Sequence, residues 1–185
     1  MLYSRNQTEI KMNKKVILYI ACSLDGFIAR KNHDVSWLFM DQSYGFEEFE
    51  KSFGAAVMGR KTYDFSRQFS DPPFEGKKNF VLTTQRDLYP ASTNELIFCG
   101  YEDVIRYIKD SDDGEGIFLV GGVKLIADFL NDNLLDEIEV AFHPVILGEG
   151  IPLFHGINKE IMLEYKGTEE FNTGLVKLKY TVKKQ

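Results

Sequence analysis

Ile117-Phe118-Leu119-Val120-Gly121-Gly122-Val123-Lys124-Leu125-Ile126 changes character twice in ten residues. The four apolar residues at its start read as a short buried strand. Two glycines follow at once. Val123, Ile126, Ala127, Phe129 and Leu130 then recur at helical spacing, which predicts a helix beginning where the glycines stop. A strand, a turn without side chains and a helix N-terminus together can hold an anion. Glycine lets a ligand approach the backbone, and the free N–H groups and helix dipole favour phosphate. The same pattern also serves as a plain tight turn, so the remaining strand ends must decide.

Working back from there, Ala55-Ala56-Val57-Met58 is a second apolar strand that runs into Gly59-Arg60-Lys61-Thr62-Tyr63, where a helix to about Gln68 begins. Lys78 to Thr83 is a third, closed by Thr84-Gln85-Arg86-Asp87. Leu96 to Cys99 is a fourth, followed by a helix over 101–109. Val16 to Cys22 is apolar throughout, the pattern of a strand buried on both faces. Phe46, Phe49 and Phe53 predict an amphipathic helix over 44–53, with Gly54 as its C-cap. After Asp136 the pattern becomes alternating. Residues 137–143, 161–165 and 175–182 read as antiparallel strands with one wetter face, the last two joined as a hairpin near Gly174. The predicted fold is α/β: three layers, a mixed sheet of about eight strands and about four helices. Residues 1–13 read as an N-terminal extension and 14–185 as one domain.

Composition narrows the function. The chain has 185 residues, 44% apolar and 27% charged, with a formal net charge of -6 and no dense basic run. That argues against nucleic acid or an anionic membrane as partner. No stretch approaches the length of a membrane span, and the polar start is no secretory signal, so a cytoplasmic protein is expected. Cys22 and Cys99 sit in apolar runs and read as buried small hydrophobes. Three scattered histidines offer no metal-ligand spacing. His143 is expected to face outward from its alternating strand and His155 to lie in a surface turn.

Three predicted strand ends therefore carry cations, hydroxyls or glycines: Gly59-Arg60-Lys61-Thr62, Thr83-Thr84-Gln85-Arg86 and Gly121-Gly122-Val123-Lys124. In open α/β sheets ligands bind beyond the carboxyl ends of the strands. Each turn has an ordinary structural use, with Arg60 and Lys61 solvated and Thr83-Thr84 a strand end. Their coincidence fits a multiply phosphorylated ligand. No Gly-x-Gly-x-x-Gly follows the first strand, so this is not a Rossmann site.

The chain resembles the dihydrofolate-reductase-like proteins from about Lys14 to Lys183, and is closest to the riboflavin-biosynthesis reductase branch. The resemblance rests on Ser23-Leu24-Asp25-Gly26-Phe27-Ile28-Ala29, Val57-Met58-Gly59-Arg60-Lys61-Thr62-Tyr63, residues 77–84, Val120-Gly121-Gly122, and the segment from His143 to Phe154. It implies a mixed eight-stranded sheet and NADPH as cofactor. Arg60, Lys61 and Thr62, after Gly59, are the implied phosphate holders. Thr83, Thr84 and Arg86 are implied at the 2′-phosphate. Gly121, Gly122, Val123 and Lys124 are implied at the pyrophosphate and nicotinamide side, with Ala21, Leu82 and Val120 also against the cofactor. The resemblance further implies a cis Gly121–Gly122 peptide and a homodimer.

Where family members choose their substrate, this sequence departs. Asp41 lies near the position of the folate-type carboxylate but out of register, and Glu47 is on the following helix. Both are candidates for the proton donor. Between Trp37 and Phe53 the only cation is Lys51, against the acids Asp41, Glu47, Glu48 and Glu50. Riboflavin-type members hold a ribose phosphate there with basic residues. Trp37 reads as a lid over the core or as a pocket wall; Phe46 is expected on the substrate side. The activity expected is NADPH-dependent hydride transfer to a small pterin- or pyrimidine-like heterocycle. Dihydrofolate reductase and a non-catalytic NADP(H)-binding protein are the alternatives.

Overall fold

The structure, a computed structural model, describes residues 14–111 and 114–184. The expected extension over 1–13 lies outside the described residues. The unbroken apolar run becomes β1 (Val16–Ser23), in the interior of an eight-stranded sheet. It pairs in parallel with β6 (Gly116–Gly121) and with β7 (Glu137–His143). Beyond β6 stand β3 (Phe53–Gly59), β4 (Lys78–Leu82) and β5 (Leu96–Cys99), all parallel. Beyond β7, β10 (Val176–Val182) runs antiparallel and pairs in turn with β9 (Leu163–Glu170), so the predicted C-terminal hairpin forms. The order is β5-β4-β3-β6-β1-β7-β10-β9. A small second sheet pairs β2 (Phe27–Ala29) with β8 (Ile151–Pro152).

Side chains of parallel strands buried on both faces must meet helices on both sides. Leu18, Val57, Ile117 and Leu119 pack with Val104 and Ile108 of α3 (Tyr101–Asp110) and with Ile126 and Phe129 of α4 (Val123–Asn131). On the opposite face Ile17, Ala56, Met58 and Phe118 pack with Phe49 of α1 (Phe46–Glu50) and Tyr63 of α2 (Arg60–Ser66). The three predicted layers are present, and the Gly121–Gly122 peptide is cis.

Three expectations are corrected. The predicted helix over 44–53 shrinks to α1, because Tyr44 and Gly45 take left-handed backbone angles and Phe53 already belongs to β3. Gly45 is also where β10 comes close: a Cβ there would stand 2.6 Å from Lys177 Nζ. Gly54 is not a C-cap. It lies inside β3, where a Cβ would run into the Glu115 side chain. His143 does not face outward. It is 3% exposed, because the segment after Trp37 folds back over that face of β7.

One further glycine is held by close approach. A Cβ at Gly116 would lie 2.8 Å from the Ser52 carbonyl oxygen, a backbone atom with little room to move. Gly116→Ala is expected to destabilise the fold by about 1–3 kcal/mol. Urea unfolding checks this as a lower midpoint at unchanged slope.

Candidate active-site cleft

The parallel strands β3, β4 and β6 end on the same side, and each is followed by its own turn. Two of these turns make direct approach. A Cβ placed on Gly59 would lie 3.7 Å from the Gly122 nitrogen, and one on Gly122 would lie 3.6 Å from Thr62 Oγ1. The first turn of α2 therefore stands against the Gly121–Gly122 peptide. Together with the end of β4 and the start of α3 they border a cleft of about 1020 Å³. That volume lies at the upper end of small-molecule sites and suits an extended ligand.

Gly59, Arg60, Lys61 and Thr62 line the cleft. So do Leu82, Thr83 and Thr84 after β4, and Gly122, Val123 and Lys124 at α4. Arg86 stands at the margin. Its guanidinium lies 3.4 Å from where a Cβ on cleft-lining Gly100 would be, and it pairs with Asp103 at 3.0 Å. Gly121 lies just behind Gly122, against Gly59. Ala21 and Val120 lie on β1 and β6 outside the lining. Among the described residues the lining also holds His33 and Val35 of the loop after β2, together with Gly100, Tyr101 and Asp128. Gly100-Tyr101 was legible as a fourth strand-to-helix turn. The loop after β2 carried no such signal.

Charge differs among the three helix starts. α3 has Glu102 and Asp103 in its first turn, and Asp103 accepts the Gly100 N–H at 2.9 Å. α4 has no acid in its first turn and no side-chain cap on Gly122. Its free N–H groups and the positive end of its dipole open on the cleft. The cations are partly held already. Arg60 bonds Asp64 at 3.1 Å, Tyr89 donates to the same carboxylate at 2.9 Å, and Lys124 pairs with Asp128 at 2.6 Å. These arrangements fit an anionic ligand whose negative charges lie along the α2–α4 side.

The residues expected on the substrate side lie elsewhere. Asp41 is exposed and accepts the Tyr44 hydroxyl at 2.5 Å. Glu47 is exposed on α1. Phe46 packs into an aromatic cluster with Tyr19, Phe49, Phe74 and Phe118. Trp37 is buried edge-on against His143, with ring centroids 5.2 Å apart. None of these four lines the cleft.

Asp25 has a structural task. Its carboxylate accepts Ser23 Oγ at 2.7 Å and the N–H groups of Leu147 and Gly148 at 3.1 and 2.7 Å. The Ser23 hydrogen bond, with those two, holds its carboxyl below the usual range. The turn after β1 is thereby tied to the loop after β7. Burial pushes the Cys22 thiol up to about 11 and Cys99 up to about 12, so both stay protonated. Among the described residues no cluster of His, Cys, Asp or Glu could hold a metal ion, and no helix is long and apolar enough to cross a membrane.

A mixed sheet of this order, with its cleft beyond the carboxyl ends of β3, β4 and β6, is the architecture of dihydrofolate-reductase-like proteins. The chain belongs to the RibD C-terminal domain family, which it matches over residues 14–177. In Bacillus subtilis (strain 168), the uncharacterized protein YyaP is 36% identical over 183 residues, covering 90% of this chain and 94% of the relative. The uncharacterized protein YwjB is 33% identical over 164 residues, covering 86% and 94%. Among solved structures, a putative riboflavin biosynthesis protein from Shewanella sp. PV-4 superposes with a TM-score of 0.78 at 27% identity, over 92% of this chain and 99% of that one. A deaminase/5-amino-6-(5-phosphoribosylamino)uracil reductase from Thermotoga maritima shares the fold at a TM-score of 0.68 and 16% identity; the match covers 91% of this chain and 56% of that one.

His143 gives this region a pH signature. Burial lowers its pKa from the ordinary 6.5, only partly offset by its bond to the Ala141 carbonyl. The unfolded chain therefore takes up a proton that the folded chain resists, and stability falls as pH drops below 6.5. His143→Phe is expected to flatten that decline relative to the wild type. Chemical denaturation at pH 7.5, 6.5 and 5.5 reads the difference.

Proposed function

We propose that the protein is an NADPH-dependent reductase that delivers hydride to a small heterocycle of pterin or pyrimidine type. The observation that carries this reading is the uncapped, acid-free start of α4 at Gly122, facing Thr62 and flanked by Lys61 and Lys124. In this reading it is an anion site in a cleft whose volume, about 1020 Å³, admits a dinucleotide. Family membership and the reductase named among the related folds support the same class.

In this reading the α4 N–H groups, Thr62 and Lys61 hold the pyrophosphate. Thr83, Thr84 and the Arg86 guanidinium hold the 2′-phosphate. Asp103 already orients that guanidinium. Gly121 and Gly122 let the ligand lie against the backbone, with Val123 as an apolar flank. Leu82, just before Thr83 and Thr84, is an apolar contact on their side of the cleft, and Ala21 and Val120, on β1 and β6, lie toward the nicotinamide end. Bound NADPH supplies the hydride; the protein orients it and excludes water. The exposed positions of Asp41 and Glu47 leave neither beside the cleft, so the proton in this reading comes through water or from the acceptor's own surroundings.

A homodimer is part of the proposal. β9 is an edge strand, with Leu163 and Tyr165 exposed on it and Met162 exposed just before it. Such an edge is a template for pairing. Light scattering at micromolar concentration is expected to give twice the chain mass, and a monodisperse monomer refutes this part.

NADPH at 100 times its Kd should add about 2.7 kcal/mol of stability, a rise in Tm of roughly 5–10 °C for a chain of this size. Lys61→Ala is expected to raise the Kd about tenfold, or about 1.4 kcal/mol. Absence of any thermal shift with NADPH overturns the cofactor assignment. Binding without oxidation of NADPH by dihydrofolate or the aminouracil precursor removes those two acceptors.

A further inference from the structure

Among the described residues two buried side-chain polar atoms have no hydrogen-bond partner, and they belong to side chains in ring contact. One is Trp37 Nε1 and the other His143 Nε2. Buried polar groups are nearly always satisfied, and each exception calls for an explanation. Leaving an indole N–H or an imidazole nitrogen unpaired costs stability, so chance retention of two in one place is a poor account.

Their placement is informative. In the β1–β7 register Ala21 faces Ala141 and Ser23 faces His143. Paired residues in a parallel ladder project to the same face, so His143 stands two positions beyond Ala21 and Ala141, about 7 Å along the strand. That face carries the two small side chains next to the proposed nicotinamide end. Trp37 and Phe39 cover His143 from above. They belong to a segment with neither helix nor strand from Arg30 to Tyr44, so it can lift without breaking a hydrogen-bond ladder.

The chemistry of the pair is also defined. His143 Nδ1 lies 3.2 Å from the Ala141 carbonyl oxygen, so Nδ1 carries the proton and Nε2 presents a lone pair. Burial keeps the ring neutral. Trp37 Nε1 can only donate. The pair thus offers one donor and one acceptor and no charge. Its complement is a neutral group with an acceptor next to a donor, such as the C=O and N–H edge of a lactam.

We propose that Trp37 Nε1 and His143 Nε2 are the recognition pair for the hydride acceptor, holding the lactam edge of a neutral heterocycle under the Trp37 segment. This deepens the reductase reading and rests on it. It also accounts for the acid-rich segment after Trp37: recognition here does not require a cation for a ribose phosphate. The alternative occupant with the same chemistry is a structural water.

Trp37 is the single tryptophan of the chain, so its emission reports the site without an activity assay. The probe is 5,6-diaminouracil, titrated into the NADPH-bound protein. The expected result is a saturable change in tryptophan emission that 5,6-diamino-1,3-dimethyluracil, whose methylated ring nitrogens leave no lactam N–H, does not reproduce. His143→Phe should weaken diaminouracil at least tenfold while leaving the thermal shift with NADPH unchanged. His143→Gln, whose side-chain amide retains an acceptor, should recover most of the affinity. Equal affinity in the wild type and both variants assigns the pair to a structural water and overturns the proposal. No emission change in the wild type up to millimolar probe, or an equal response to the dimethylated uracil, also overturns it. If NADPH does not bind, the reductase reading falls by itself, and titration without NADPH still reads the pair.

Discussion

The close approach of two strand ends governs the cleft. Gly59 at the end of β3 and Gly121–Gly122 at the end of β6 come within ordinary contact distance even before side chains are considered. Only residues without Cβ atoms leave that surface as bare backbone. Because β3 and β6 are neighbours in the parallel ladder, α2 and α4 start side by side, and Thr62 is brought against Gly122. The glycines thus leave backbone N–H groups facing outward where the two helices start.

Electrostatics then separates those helix starts. α3 satisfies its own N-terminus through Asp103 and shares that carboxylate with Arg86. α4 keeps its first turn free of acids. Arg60 and Lys124 are restrained by Asp64 and Asp128, four residues along their own helices. Such exposed pairs add little stability. Their effect is on position: the cations are held near the cleft wall. The net charge of -6 makes this local concentration of positive ends more selective, because a general anion-attracting surface is absent.

The strands were legible in the sequence because burial on both faces writes itself as unbroken apolar runs. Val16 to Cys22 and Ile117 to Val120 needed only composition and the glycines after them. The turns that line the cleft were legible for the same reason, each lying at the end of such a run. The other side of the sheet was not. Phe46, Phe49 and Phe53 have perfect helical spacing, yet Phe53 opens a strand. All three pack into one aromatic cluster, which rewards burial whatever the local backbone. His143 occupies an alternating strand whose polar-looking face is covered by a loop from elsewhere in the chain. Periodicity records which residues share a face and says nothing of what a distant segment lays over it.

That distinction explains why the acids and the aromatics expected on the substrate side lie outside the lining of the cleft. Glu47 stands exposed on a helix only five residues long, and Asp41 lies exposed in the irregular segment before it. Trp37 was ambiguous between lid and wall because one tryptophan in a polar loop has no periodicity to place it. Its partner settles where it lies: a buried imidazole on β7, one strand away from β1. Lys177 follows the same logic on the next strand. It is 2% exposed, within 2.7 Å of Glu169, and bonded to the Tyr44 carbonyl that begins the covering segment's return to α1. The polar groups of this face are therefore held by contacts between segments far apart in sequence. The cleft turns are built from consecutive residues at strand ends and can be read locally, whereas the covered face of β7 exists only once β7, β9 and β10 and the Trp37 segment have assembled.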